Sequence, residues 1–168
     1  MKILAVDTSS KRCSVSILED ETVLINLVND DEKTHSVKLM PLIDKAFNNT
    51  NLSLNDISLL VCAIGPGSFT GIRIGIATIK AFADVTNIPV VGVTSLESLA
   101  YNAKLPECFY NSNIVCSLID AKNNNVYCGL YNFLENKCEQ VEIFSDTIQN
   151  TIQKIKSLQC NNIVFVGD

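Results

Sequence analysis

The residues best suited to chemistry fall in two short stretches. Asp7, Thr8, Ser9 and Ser10 follow the first apolar run. A carboxylate and hydroxyls on a strand-to-strand turn suit a nucleotide phosphate and its metal ion. The same residue types equally suit a tight turn closed by hydrogen bonds from side chain to backbone. The second stretch, GPGSFTGIRIG from Gly65 to Gly75, places glycines directly after a buried run and at the start of a helix. Backbone N–H groups at such a helix start suit an anion. No Gly-Lys-Ser/Thr follows, so this is not a P-loop, and Thr70 stands where a dinucleotide fingerprint needs its third glycine.

Other catalytic sets are missing. His35 is the one histidine, which leaves no second histidine for a metal pair and no spare base for a serine triad. Asp44, Asp84 and Asp120 lie in separate segments, with no spacing that pairs them as general acid and base. Seven cysteines, an odd number without a C-x-x-C pair, read as small buried hydrophobes in a reducing compartment rather than as a disulfide framework. No catalytic residue and no metal ligand is assigned.

The helix after Gly71 offers a different use. Gly67, Gly71 and Gly75 recur every four residues, so that another backbone can approach one side closely. Ile72, Ile76, Ile79 and Ala83 line one stripe; Ile74, Ala77, Ala81 and Val85 line another. A helix apolar nearly all round needs cover on both sides. One stripe can lie on a sheet, and the other calls for a second helix or a partner.

These stretches need a scaffold to position them. The chain has 168 residues, 47% of them hydrophobic, enough to bury a core without staples. Its net charge of -5 argues against a whole-surface nucleic-acid footprint. The start, MKILAVDTSS, is too short in apolar residues for a signal peptide, and no run suffices to span a bilayer, so a soluble, cytoplasmic protein with no membrane partner is expected.

Ile3 to Val6, Cys13 to Leu18 and Val23 to Val28 read as an antiparallel meander. Ser36 to Asn48 has helical periodicity, with Pro41 expected to kink or delay its first turn. Leu59 to Ile64, Gly71 to Val85 and Val90 to Val93 form a strand, helix and strand crossover. A helix from Thr94 or Ser95 to Ala103 closes a first lobe, residues 1–103. The second, 104–168, has strands at Ile114 to Asp120, Val126 to Phe133, Gln140 to Phe144 and Asn162 to Val166, and a helix at Thr147 to Leu158.

MKILAVDTSS, THSVKLMPLID, GPGSFTGIRIG, VGVTSL and IDAKNNNVYCGLY occur in this order across nearly the whole chain, and together they resemble the TsaB (YeaZ) family. The resemblance implies an α/β, actin-like ATPase (ASKHA, ribonuclease H-like) fold of two related lobes. The second lobe is expected to be incomplete, since family chains run on past Gly167 and Asp168. It also implies a non-catalytic subunit that dimerises with a TsaD-like catalytic subunit and helps a TsaE-like ATPase, with tRNA engaged indirectly, or a homodimer when alone. The interface implied on the two first-lobe helices comprises Leu39, Ile43, Gly67, Ser68, Phe69, Gly71, Arg73, Ile74, Ala77, Thr78 and Ala81. Asp7, Thr8 and Ser9 remain candidates for nucleotide contact. No cofactor is intrinsic, and ATP or ADP with magnesium is expected at the partner interface. The rival reading is an ATP-dependent small-molecule kinase or ATPase of the same fold class; a metallopeptidase ranks below it for want of histidines.

Overall fold

The computed structural model describes residues 1–30, 35–103, 113–134, 137–158, 160 and 162–167. They form two compact units, Met1–Val93 and Thr94–Asp168.

In the first unit the strands alternate, as their sequences require. β1 (Lys2–Asp7) buries Leu4 and Val6, and β2 (Cys13–Glu19) buries Cys13, Val15 and Ile17 on the same side. They pair antiparallel, and β3 (Thr22–Asn29) pairs antiparallel with β2 after a turn in which Asp20 takes φ 51°. α1 (His35–Thr50) follows, and Asn51 ends it in the left-handed region. Pro41 lies inside α1, which neither starts late nor stops there. The carbonyl deprived of its partner belongs to Val37; Val37 and Pro41 are both exposed, so water can satisfy it. A single 3-10 turn (Leu54–Asp56) is set by Asp56, whose carboxylate accepts from both the amide and the hydroxyl of Ser53.

β4 (Leu59–Ala63) pairs parallel with β1, and β5 (Val90–Val93) parallel with β4, giving the order β3-β2-β1-β4-β5. Between them runs α2 (Phe69–Thr86), capped by the Ser68 hydroxyl accepting from the Gly71 amide at 3.2 Å and closed by Asn87 at φ 59°. α1 and α2 cover one face of the sheet, where Leu4, Val15, Ile17, Leu39, Ile43, Leu60 and Ile79 make the core.

The second unit begins at α3 (Ser95–Tyr101), ahead of the junction expected at 103/104. Leu96 and Ala100 of α3 are fully buried with Val115 and Tyr131, so the helix belongs to the second sheet. β6 (Asn113–Lys122), β7 (Asn125–Leu134) and β8 (Lys137–Thr147) form an antiparallel meander, α4 (Ile148–Lys156) follows, and β9 (Asn162–Gly167) pairs parallel with β6. β8 is longer at both ends than its apolar run suggests, because pairing with β7 carries it to Thr147. The order β8-β7-β6-β9 repeats β3-β2-β1-β4 of the first unit, and α4 stands in sequence where α1 does. α3 packs with Val115 and Tyr131, and α4 with Cys116, Cys128 and Leu130 on the opposite face. Among the described residues no helix is long and apolar enough to cross a membrane.

Candidate functional site

The β1–β2 turn and the start of α2 are locked together. The Asp7 carboxylate accepts from the Ser9 amide at 2.7 Å, a local turn of the kind its sequence allows. Thr8 is 0% exposed, and its hydroxyl donates to the carbonyl of Gly71 at 2.7 Å. The Ser68 amide donates to the carbonyl of Ser9 at 2.6 Å. His35, the first residue of α1, places Nε2 2.9 Å from the carbonyl oxygen of Ser10.

This lock accounts for the glycine spacing. A Cβ on Gly67 would lie 2.2 Å from the Ser9 carbonyl oxygen, one on Gly71 2.0 Å from that of Thr8, and one on Gly75 2.5 Å from the Thr8 hydroxyl. The backbone that approaches the stripe is therefore the chain's own. Gly65, at φ 93°, sets the sharp exit from β4.

The same contacts bear on nucleotide binding. Thr8 and Ser9 are buried, the Asp7 carboxylate already holds a backbone amide, and the Ser68 and Gly71 amides are engaged within the chain. Within this unit these groups are spent on the chain's own packing. Among the described residues no group of three or more His, Cys, Asp or Glu side chains is placed to hold a metal ion. The thiols beneath the turn are unreactive in kind: burial, reinforced by the Asp7 charge, pushes Cys62 up to about 11, and burial with Asp7 raises Cys13 against the opposing effect of Lys38.

The outer face of α2 is open. Phe69, Arg73, Ala77, Ala81 and Val85 form one ridge at four-residue spacing, all exposed, with Phe69 at 69% and Val85 at 82%. The Arg73 guanidinium lies 3.8 Å from the centre of the Phe69 ring, which holds both side chains in place. Ile76 lies beside the ridge, and on α1, packed against α2, Val37 and Met40 are exposed as well. Aromatic, arginine and methionine side chains are those enriched at protein interfaces.

The interface expected from sequence is corrected in part. Leu39 and Ile43 are 1% and 2% exposed within the core, and Gly71 is buried beneath Thr8, so none of these faces outward. Ile74 and Thr78 are half-buried: Ile74 packs against the core, and the Thr78 hydroxyl donates to its carbonyl at 2.9 Å. Gly67, Ser68, Phe69, Arg73, Ala77 and Ala81 are exposed. Ile76 and Val85, each already part of an apolar stripe in the sequence, are exposed as well, and Val37 and Met40 emerge as exposed only once Leu39 and Ile43 are placed inward.

The family model and the most similar relatives carry two related descriptions, both naming threonylcarbamoyl modification of tRNA. Residues 23–166 match the family described as TsaD: tRNA N6-adenosine threonylcarbamoyltransferase. The tRNA threonylcarbamoyladenosine biosynthesis protein TsaB of Bacillus subtilis is 36% identical over 141 residues, 84% of this chain and 59% of that protein. The protein of the same description from Haemophilus influenzae is 33% identical over 179 residues, 99% of this chain and 72% of its own length. YeaZ from Pseudomonas aeruginosa superposes with a TM-score of 0.76 at 26% identity, over 87% of this chain and 66% of that one. The ROK hexokinase of Thermus thermophilus, at 14% identity and a TM-score of 0.50 over 82% of this chain and 47% of that one, shares the fold alone. The chain spans little more than half the length of the Bacillus subtilis relative. By its sequence matches and by its two related α/β sheets, the chain belongs to the TsaB (YeaZ) family of the tRNA threonylcarbamoyladenosine pathway.

Proposed function

We propose that the chain is an accessory subunit that supplies no catalytic residue and pairs, through the outer faces of α1 and α2, with a TsaD-like catalytic subunit of the tRNA threonylcarbamoyl transfer machinery. The carrying observation is the exposed ridge Phe69, Arg73, Ala77, Ala81 and Val85, which remains bare after the glycine side of α2 has been used up on the chain's own β1–β2 turn. Small residues at Ala77 and Ala81 let a partner helix approach closely, while Phe69 and Arg73 supply contact area at one end. In the absence of that partner the same ridge pairs two copies of the chain, since bare apolar surface is unfavourable in water. A TsaE-like ATPase joins the assembled pair, and tRNA is held by the catalytic subunit, in keeping with the net charge of -5. ATP or ADP with magnesium belongs at the partner interface, because Thr8 and Ser9 are sealed under α2.

The test is co-purification with the TsaD-like subunit of the same cell. Ala81→Asp places a charge on the ridge and touches no core residue, so the folded chain is expected to remain and the complex to disappear. Ile74→Asp is a poorer probe, because Ile74 packs against the unit's own core. Undiminished co-purification of the Ala81→Asp chain would remove the proposal.

A further inference from the structure

Two of the thiols in the second unit are neighbours in space. Cys116 on β6 stands opposite Leu130 of β7, and Cys128 on β7 stands opposite Leu118 of β6, so the two face each other on the diagonal of an antiparallel pair. Both are fully buried on the side of the sheet that α4 covers, together with Leu130 and Ile155. Their Sγ atoms lie 3.6 Å apart, close enough for one thiol to donate to the other. Among the described residues no other two cysteines share such a contact.

The surroundings make the two sulfurs unequal. Cys128 pairs across the ladder with Phe144 on β8, the edge strand of the sheet. The Lys154 ammonium of α4 lies 4.0 Å from the centre of that ring and forms an ion pair with Glu142. Lys154 and Glu142 are half-exposed, so Cys128 sits one layer beneath solvent at the edge of the sheet. The Cys116 thiol, donating to Cys128, holds Cys128 below the ordinary thiol range; burial opposes this, Lys154 adds to it and Glu142 opposes it. The same hydrogen bond, with burial, holds Cys116 above that range. The thiolate is the form of cysteine that attacks, and the charge of Lys154 selects Cys128 to carry it.

The ladder also decides what kind of bond the pair can make. A disulfide needs sulfurs about 2.05 Å apart and Cα atoms about 4.4–6.8 Å apart. Diagonal residues on paired antiparallel strands stand about 7–8 Å apart. Closing the bond therefore draws β6 and β7 together beneath α4, and a bond strained in this way is readily reduced again.

We propose that Cys116 and Cys128 are an oxidation site, a reversible dithiol–disulfide couple whose oxidant is a hydroperoxide. The Cys128 thiolate attacks one peroxide oxygen; the S–O bond forms, the O–O bond breaks, and the leaving oxygen takes a proton to depart as an alcohol or, from hydrogen peroxide, as water. The Cys116 sulfur then attacks the Cys128 sulfenic acid; the S–S bond forms, the S–O bond breaks, and the oxygen leaves as water with the Cys116 proton. The two thiols lose two electrons and two protons, and the peroxide gains both. A small dithiol restores the pair by exchange.

The experiment treats the folded 168-residue chain with hydrogen peroxide, blocks the remaining thiols by alkylation, and maps the cysteines by mass spectrometry. A Cys116–Cys128 disulfide, lighter by two hydrogens than the two thiols, is expected ahead of any oxidation at Cys13, Cys62, Cys138 or Cys160, and dithiothreitol is expected to reverse it. Cys116→Ala is expected to leave a sulfenic acid on Cys128 that dimedone traps, whereas Cys128→Ala leaves Cys116 a free thiol. Where either alanine chain does not fold, Lys154→Met, at a half-exposed position, carries the test: disulfide formation is expected to slow by about threefold or more as the thiolate loses its cation. Both thiols still free in the parent, a disulfide to Cys160 in their place, or a pair that oxidises only in denaturant overturns the proposal. An unchanged rate in Lys154→Met overturns the choice of Cys128 as the attacking sulfur.

Discussion

Replacing Gly71 by alanine tests whether the glycine stripe serves the chain's own packing. The new Cβ would lie 2.0 Å from the carbonyl oxygen of Thr8, and real Cβ contacts essentially never fall below 3.0 Å, so the β1–β2 turn and α2 must part by about 1 Å. That movement strains the bond from the Thr8 hydroxyl to the Gly71 carbonyl and the bond from the Ser68 amide to the Ser9 carbonyl. Overpacking costs about 1–3 kcal/mol, and loss of one buried hydrogen bond about 1–3 kcal/mol more. Alanine returns at most about 1 kcal/mol of helix propensity, less in the first turn. The balance is a loss of about 3 kcal/mol, which for a chain of this size lowers Tm by roughly 6–12 °C. Thermal and urea unfolding, followed by circular dichroism, read this directly. A Gly71→Ala chain as stable as the parent, or more stable, would refute the packing account, for it would mean that the glycine side of α2 lies open.

Two further outcomes follow from the same geometry. Phe69→Ala removes the exposed ring beneath Arg73 and is expected to weaken binding of the TsaD-like subunit by about tenfold or more, equivalent to about 1.4 kcal/mol, with an unfolding midpoint unchanged. Titration calorimetry on parent and variant checks it, and equal affinities would detach the ridge from binding. The pH dependence follows from Cys62, whose buried thiol is pushed up to about 11 from an ordinary 9.0, by burial first and by Asp7 second. A raised thiol favours the protonated fold, so this contribution is fully present below pH 9 and is lost as pH climbs toward 11. Tm should therefore fall across pH 9–11 less steeply in Cys62→Ala than in the parent; parallel slopes would show that the thiol plays no part.

Much of the fold is legible from local pattern. Alternation in CSVSIL and continuous apolar runs in LLVCA and VVGV mark β2, β4 and β5, because a strand's exposure is written at a period of two or as an unbroken apolar stretch. The site is legible only in part. Gly67, Gly71 and Gly75 announce a close approach, and the sequence does not say by what; the answer is a turn some sixty residues earlier, whose Thr8 reads as a candidate ligand until its burial is seen. Leu39 and Ile43 have the spacing of any helical apolar stripe, and only the sheet beneath them shows that this stripe faces inward while Val37 and Met40 face out. α3 is ambiguous in the same way, since Leu96 and Ala100 do not record which of two sheets they cover.

The most direct measurement of the central claim is the exchange footprint of the TsaD-like partner on this chain. Mixed with that partner, the chain is expected to gain protection along α2 from Phe69 to Val85 and on the outer residues of α1 near Val37 and Met40. A complex that forms while these two helices exchange as they do in the free chain would contradict the account.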